Sequence, residues 1–448
     1  MSAAGVVACV DVGSTFTKAV AVGADGSVLA AAQHPTTVGS DVLVGLDAAV
    51  AGLGMGAVPD VRVLACSSAG GGLRLAVVGQ ERVISAEAGR RVALSAGARV
   101  VAVTAGELDA SALTLLAEAA PDVVLLVGGT DGGDAQVLLH NAGVLGGSAL
   151  RVPVVVAGNA AAVPDAARLL RRRGRVVTVA GNVIPRIGEL APGAARAAIR
   201  EVFIRHVIGG KGLSRGARFP RLVLGATPDV VLAGVEVVAD VLAQRPGAVG
   251  DVLVVDIGGA TTDVYSVLEP GEDAGSEVVG TLWRGRTVEG DLGMRWSAPD
   301  VVAAAERERL PVGATLGAAA RRRHGDVGFL PGSAAEAAED VALARLAAVI
   351  AVRRHARPGA EGGRDLSRVG VLIGSGGVLR HAPASADQVL GAVLGDLAGG
   401  WRLPERAAVL VDTGFLLAPI GLLALRGEPV RARAVAAALL QSLPRAPH

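Results

Sequence analysis

At 448 residues the chain is too long for one hydrophobic core, so two or three domains are expected. Apolar residues reach 51%, but they are mostly Ala and Val with 2% aromatics, and no uninterrupted apolar run of about 18 residues predicts a membrane span. A net charge of +1 argues against nucleic acid as a general partner.

The N-terminus, Met1-Ser2-Ala3-Ala4-Gly5, lacks a basic n-region, so no signal peptide is expected. The two cysteines, Cys9 and Cys66, fall on predicted strands and form no ligand cluster. They read as buried thiols in a reducing cytoplasm.

The first strand candidate, Val6 to Val10, runs into Asp11-Val12-Gly13-Ser14-Thr15-Phe16-Thr17-Lys18 and then a second strand. Glycines let a backbone approach a ligand, and amides with hydroxyls can cradle phosphate oxygens. An acid at the strand end suits Mg2+, which prefers oxygen ligands and keeps part of its water. Lys18 either meets a phosphate as a point charge or points to solvent. A strand from Val20 to Ala31 turns at Ala24-Asp25-Gly26-Ser27. A helix from Asp41 to Leu53, a strand from Val61 to Cys66 and the Gly-rich loop Ser67 to Gly72 follow.

Between about 76 and 215, strands alternate with helices. Strands are predicted at Arg99–Val103, Val123–Val127, Val152–Ala157 and Val176–Ala180, with helices such as Leu108–Ala119 and Ala160–Arg173 between them. Short continuous apolar strands with helical crossovers imply a parallel sheet covered on both faces. The loops at Gly128–Asp134, Gly158-Asn159 and Gly181-Asn182 follow strand ends, where such sheets bind ligands. The alternative is that the glycines only cap strands. The runs Arg171–Arg173 and Arg321–Arg323 suit helix C-termini on solvated faces. Lys211 fails a Walker A reading, because Arg205 stands at the first glycine position and Gly212 follows the lysine.

From about 216, Thr227-Pro228-Asp229 opens a helix over Val230–Leu242. Then the first pattern recurs: Val252 to Val255, Asp256-Ile257-Gly258-Gly259-Ala260-Thr261-Thr262-Asp263, and a further strand. Two copies, each opening one half of the chain, suggest similar lobes facing each other across a nucleotide. Glu269 to Ser276 reads as a surface turn. Glu289-Gly290-Asp291 lies near the cleft or only orients a loop. Residues 298–356 are helical by period, and a Pro/Gly linker spans Arg357 to Arg364. A strand then ends in Gly374-Ser375-Gly376-Gly377. A third Asp-x-Gly, at Asp412, is followed by apolar residues and is read as a structural strand end.

The paired hairpins, with Val369–Leu379 as an adenosine loop, resemble the actin, Hsp70 and sugar-kinase superfamily of ATPases. Asp11–Lys18, Cys66–Leu73, Leu125–Gly133 and Val288–Arg295 together resemble the glutamate mutase accessory proteins. That family is called MutL or GlmL and is unrelated to its mismatch-repair namesake. The resemblance covers nearly the whole chain. It implies an α/β fold: a two-lobed actin-like ATPase with duplicated ribonuclease-H-like lobes and an inserted parallel α/β module. Residues 1–75 open the first lobe, 76–215 form the module and 216–448 the second lobe.

ATP and Mg2+ are the expected cofactors. Asp11 and Asp256 organise the metal and its waters, and Asp263 orients an attacking water or fixes its hairpin. Gly13, Ser14, Thr15, Thr17, Lys18, Gly258, Gly259, Thr261 and Thr262 face the phosphates, and Gly374, Gly376 and Gly377 the nucleoside. The implied partner is an adenosylcobalamin-dependent mutase, protected or reactivated by ATP-driven work. Competing readings are a small-molecule kinase, for which no base or polar substrate pocket is evident, an actin-like scaffold, and an iron–sulfur dehydratase activator, for which cluster cysteines are missing.

Overall fold

A computed structural model describes residues 5–56, 61–69, 73–96, 98–208, 212–245, 251–269, 284–357, 364–397 and 402–442. The glycines at 70–72, Lys211, residues 270–276 of the expected acidic turn and residues 358–363 of the expected linker lie outside them.

The chain opens with β1 (Val7–Val12), β2 (Phe16–Val22), β3 (Val28–Pro35), α1 (Val42–Ala51) and β4 (Arg62–Ser67). The module follows: β5 (Leu73–Gly79), α2 (Ser85–Ser95), β6 (Ala98–Ala105), α3 (Ala110–Glu118), β7 (Val123–Leu126), α4 (Gln136–Gly147), β8 (Val154–Val156), α5 (Val163–Arg171), β9 (Val177–Val179) and α6 (Pro192–Val202). A π-helical turn, α7 (Arg218–Leu222), β10 (Val223–Ala226) and α8 (Thr227–Ala243) return the chain to the first lobe. The second lobe contains β11 (Val252–Ile257), β12 (Thr262–Val267), β13 (Arg284–Glu289), α9 (Ala298–Arg307), α10 (Leu316–Gly325), α11 (Ala334–Ala356), β14 (Val371–Ser375), α12 (Gly377–His381), α13 (Ala386–Leu394), β15 (Ala408–Val411), α14 (Leu417–Leu425) and α15 (Pro429–Leu439).

Two five-stranded sheets share one plan. The first runs β3-β2-β1-β4-β10 and the second β13-β12-β11-β14-β15. In each, a central strand pairs antiparallel with the next strand through a tight turn and parallel with its other neighbour. This is the duplicated, actin-like arrangement. β10 hydrogen-bonds to β4 in the first sheet. The sequence boundary at 216 therefore falls before a strand, and before the helix that follows it, on the first lobe's side of the fold.

The module's sheet is wholly parallel, in the order β6-β5-β7-β8-β9. Its central strands are apolar on both sides because helices cover both faces. The module shares one core with the first lobe, in which Val10 and Ala65 join Leu75, Leu125 and Ile199. The buried Asp229 of α8 ties the two together further, through Arg200 Nε at 2.5 Å and Arg196 at 3.4 Å on α6.

Between the lobes lies a second core. Cys9 and Val20 of the first sheet and Val254 and Ile373 of the second pack around α8 and α14. These helices touch backbone to backbone. A Cβ on Gly421 would lie 1.8 Å from the carbonyl oxygen of Val230, and one on Gly234 would lie 2.1 Å from that of Leu417. Only glycine permits that approach. Arg323, expected on a solvated face, is fully buried and bonds Asp340 at 2.5 Å and Glu339 at 3.0 Å. No helix of the described residues is long and apolar enough to cross a membrane.

Candidate functional site

Antiparallel pairing sets the geometry of each hairpin. Lys18 stands opposite Asp11, and Asp263 stands opposite Asp256. Directly paired residues share a face of the sheet, so each central acid gains a charged neighbour aimed the same way. Thr17 and Thr262 lie on the other face. Thr17 Oγ1 bonds Thr36 Oγ1 at 3.0 Å, and Thr262 donates to the carbonyl of Leu292 at 2.5 Å. Both hydroxyls, expected at the phosphates, are instead fully buried staples inside their own lobes.

The two turns meet. A Cβ on Gly259 would lie 3.0 Å from Oγ1 of Thr15. That hydroxyl is buried and has no hydrogen-bond partner among the described residues. Buried polar atoms are rarely left unpaired, so the junction of the turns holds an unsatisfied group where an oxygen ligand is expected. Gly13 and Gly258 close their turns through amides that donate to Phe16 at 3.1 Å and Thr261 at 2.8 Å. Ser14 is exposed at the tip of the first turn.

Below the turns, Asp11 and Asp256 line one cavity of about 30 Å³, large enough to hold water. Asp11 accepts from Thr227 Oγ1 at 2.6 Å and from Cys66 Sγ at 3.5 Å. Burial pushes the Asp256 carboxyl up, against the pull of Lys18 and a hydrogen bond from Ser375. Lys18 does not point to solvent: its Nζ is 3.8 Å from the Asp11 carboxylate and 4.2 Å from the centre of the Phe415 ring. Asp412, read from sequence as outside the site, lines the same cavity. Its carboxylate also caps α14 through the amides of Leu416 (2.8 Å) and Leu417 (3.1 Å), so it serves structure and cavity together.

Asp263 is fixed by Thr261 Oγ1 at 3.2 Å and by Arg286 at 3.4 Å, which favours the hairpin-holding alternative. Burial pushes its carboxyl up to about 6, while Arg286 pulls it down. A folded-state value above the unfolded one of about 3.9 means stability that is complete below pH 4 and is lost as pH rises through 6. The loss amounts to about 3 kcal/mol. In chemical denaturation at pH 4 and pH 7, wild type should therefore lose about 2 kcal/mol more than Asp263→Asn, since part of the loss has already occurred at pH 4. Parallel pH profiles would contradict this.

The adenosine-loop glycines divide. Gly376 has φ +108 and passes so near β11 that a Cβ would lie 2.2 Å from the oxygen of Ile257, whereas Gly377 faces open space. Gly374 does not face a ligand: a Cβ there would strike Leu379 and Leu390 at 2.5 and 2.7 Å, so it is a core-packing glycine.

Sequence reasoning singled out Val288–Arg295 but not the contact by which the loop ending that stretch, with Trp296, backs the second turn. Met294, Arg295 and Trp296 donate their amides to Gly258 and Gly259 at 2.8–3.0 Å. Glu289 and Asp291 orient that loop by binding Arg354, each at 2.7 Å. It also missed Thr227, Ser375 and Phe415. Thr227→Val removes a donor from Asp11 and should lower unfolding free energy by about 1–2 kcal/mol in urea titration. An unchanged midpoint would show that the bond is not worth that much.

Among the described residues no group of three or more His, Cys, Asp or Glu is arranged to hold a metal. Mg2+ needs no such cage, since one or two carboxylates with retained water suffice. Asp11 and Asp256 lining one cavity meet that requirement.

Two solved structures align over 94% of this chain. Acetone carboxylase in its nucleotide-free form has a TM-score of 0.42 at 13% identity over 70% of its chain. A ROK family glucokinase from Streptomyces griseus in complex with glucose and AMPPNP has a TM-score of 0.35 at 13% identity over 99% of its chain. Neither likeness carries a functional argument. The chain is 34% identical over 443 residues to Protein MutL of Clostridium tetanomorphum, covering 92% of this chain and 95% of that one. A family model described as MutL protein matches residues 7–440, so the chain belongs to the MutL protein family.

Proposed function

We propose that the chain is a cytoplasmic accessory ATPase that acts on an adenosylcobalamin-dependent mutase such as glutamate mutase. The observation that carries the nucleotide part is the junction of the two turns. The unpartnered Thr15 hydroxyl meets Gly259 there, above a cavity lined by Asp11 and Asp256. In this reading the Ser14 and Thr15 hydroxyls and the Gly259 amide meet phosphate oxygens, while Gly13, Gly258 and Thr261, whose donors are held within their own hairpins, shape the turns around them. Asp11 and Asp256 hold Mg2+ through its waters, and Lys18 adds a point charge. Gly376 and Gly377 border the nucleoside. Bound Mg2+ neutralises phosphate charge, and the chain's residues supply positioning, which is most of what phosphoryl transfer requires.

Because the turns touch, admitting a triphosphate requires the lobes to part about the α8–α14 crossing. Opening and reclosing form a two-state element that nucleotide can bias. MutL family membership supports the mutase client. The test is to mix the protein with cobalamin-inactivated glutamate mutase, Mg2+ and ATP. Recovery of mutase activity that needs ATP is expected. No recovery, with no ATP-dependent association, would remove the client reading.

A further inference from the structure

One aromatic ring at the cleft is in contact with two cations. Phe415 carries Lys18 Nζ 4.2 Å from its centre and the Arg380 guanidinium 4.0 Å from it. Lys18 comes from the first lobe, while Phe415 and Arg380 belong to the second. Arg380 also reaches back across the cleft to Gln33 on β3, at 3.3 Å. The ring is 8% exposed. Its backbone has φ +54, a left-handed conformation that a bulky residue adopts only when its surroundings impose it. The imposing group is Asp412, whose carboxylate takes the next two amides and so fixes the loop.

Three carboxylates compete for Lys18. Asp11, Asp256 and Asp412 line the same cavity as the lysine. Yet at 3.8 Å the ammonium stands outside hydrogen-bonding distance of Asp11. The ring face is the alternative partner. It attracts a cation without donating or accepting a hydrogen bond.

We propose that Phe415 is a positioning residue for Lys18, holding the ammonium in a loose 3.8 Å ion pair with Asp11, short of a hydrogen bond, so that the cavity carboxylates stay open to Mg2+ and the lysine to phosphate. This rests on the nucleotide reading above. Without the ring, Lys18 collapses onto Asp11 and Asp256 and competes with the metal for them. Arg380, also against the ring, registers it on the first lobe through Gln33.

The test is calorimetric titration of wild type, Phe415→Leu, Phe415→Tyr, Lys18→Gln and the Lys18→Gln/Phe415→Leu double variant with ATP in Mg2+. Phe415→Leu should weaken binding about tenfold and raise the Mg2+ concentration needed for half-saturation. Phe415→Tyr, which keeps the ring, should stay within about threefold of wild type. The double variant should bind like Lys18→Gln alone, since the ring acts only through the lysine. Additive losses, or a Phe415→Leu protein that binds like wild type, overturn the proposal. A wild type that binds no nucleotide overturns the nucleotide reading, and this proposal with it. Urea unfolding of the same proteins without nucleotide gives a second cycle. Non-additive midpoints there support the Lys18–ring contact, and additive ones overturn it even where a variant is poorly folded.

Discussion

Gly421→Ala should destabilise the protein by about 3 kcal/mol, near the upper end of what overpacking usually costs. The added methyl would sit 1.8 Å from the Val230 oxygen and is backed by Gly234 N at 3.1 Å. Neither neighbour is a flexible side-chain tip. Both are helical backbone, so α8 and α14 must separate. That separation loosens a core shared by both sheets, because Val230, Leu232, Ile420 and Leu422 are all fully buried within it. The expected readout is a lower urea midpoint together with a larger radius in small-angle scattering, since the same crossing sets how the lobes sit. A midpoint within experimental error of wild type would show that the crossing tolerates a methyl.

Asp256→Ala is expected to lower affinity for magnesium-bound ATP by about 10- to 100-fold, the range seen when groups that organise a metal site are removed. Asp256 is a cavity acid at the end of a central strand, opposite Asp263, and Lys18 and Ser375 act on its charge. The variant removes a carboxylate whose burial is unfavourable, so folding should not suffer in proportion. Loss of binding with an unchanged unfolding midpoint separates a site effect from a structural one. Equal affinity in calorimetry with and without the carboxylate would exclude Asp256 from the site.

The two hairpins were legible because each combines a continuous apolar strand, an acid at its end and a Gly turn, and because the pattern occurs twice. Which of their side chains face the cleft was also available, through the two-residue period of a strand. Once Asp11 pairs with Lys18, Thr17 must face the other way, and the same holds for Thr262 beside Asp263. β10 is different. It is four residues long, and its lobe is decided by hydrogen bonds to β4, far back in the chain. No local pattern carries that information. β5 was hidden similarly: Leu73–Gly79 is an apolar run without alternation, of the kind periodicity alone does not resolve. Asp412 and Phe415 reach the cavity only because β15 lies beside β14, a long-range consequence of sheet order.

Hydrogen exchange read by mass spectrometry, with and without ATP and Mg2+, tests the shared clasp most directly. Peptides spanning 11–18 and 256–263 should both gain protection, and both should saturate at the same nucleotide concentration. Protection of one turn alone, or of neither while ATP is demonstrably bound, would mean that the lobes do not hold one nucleotide between them.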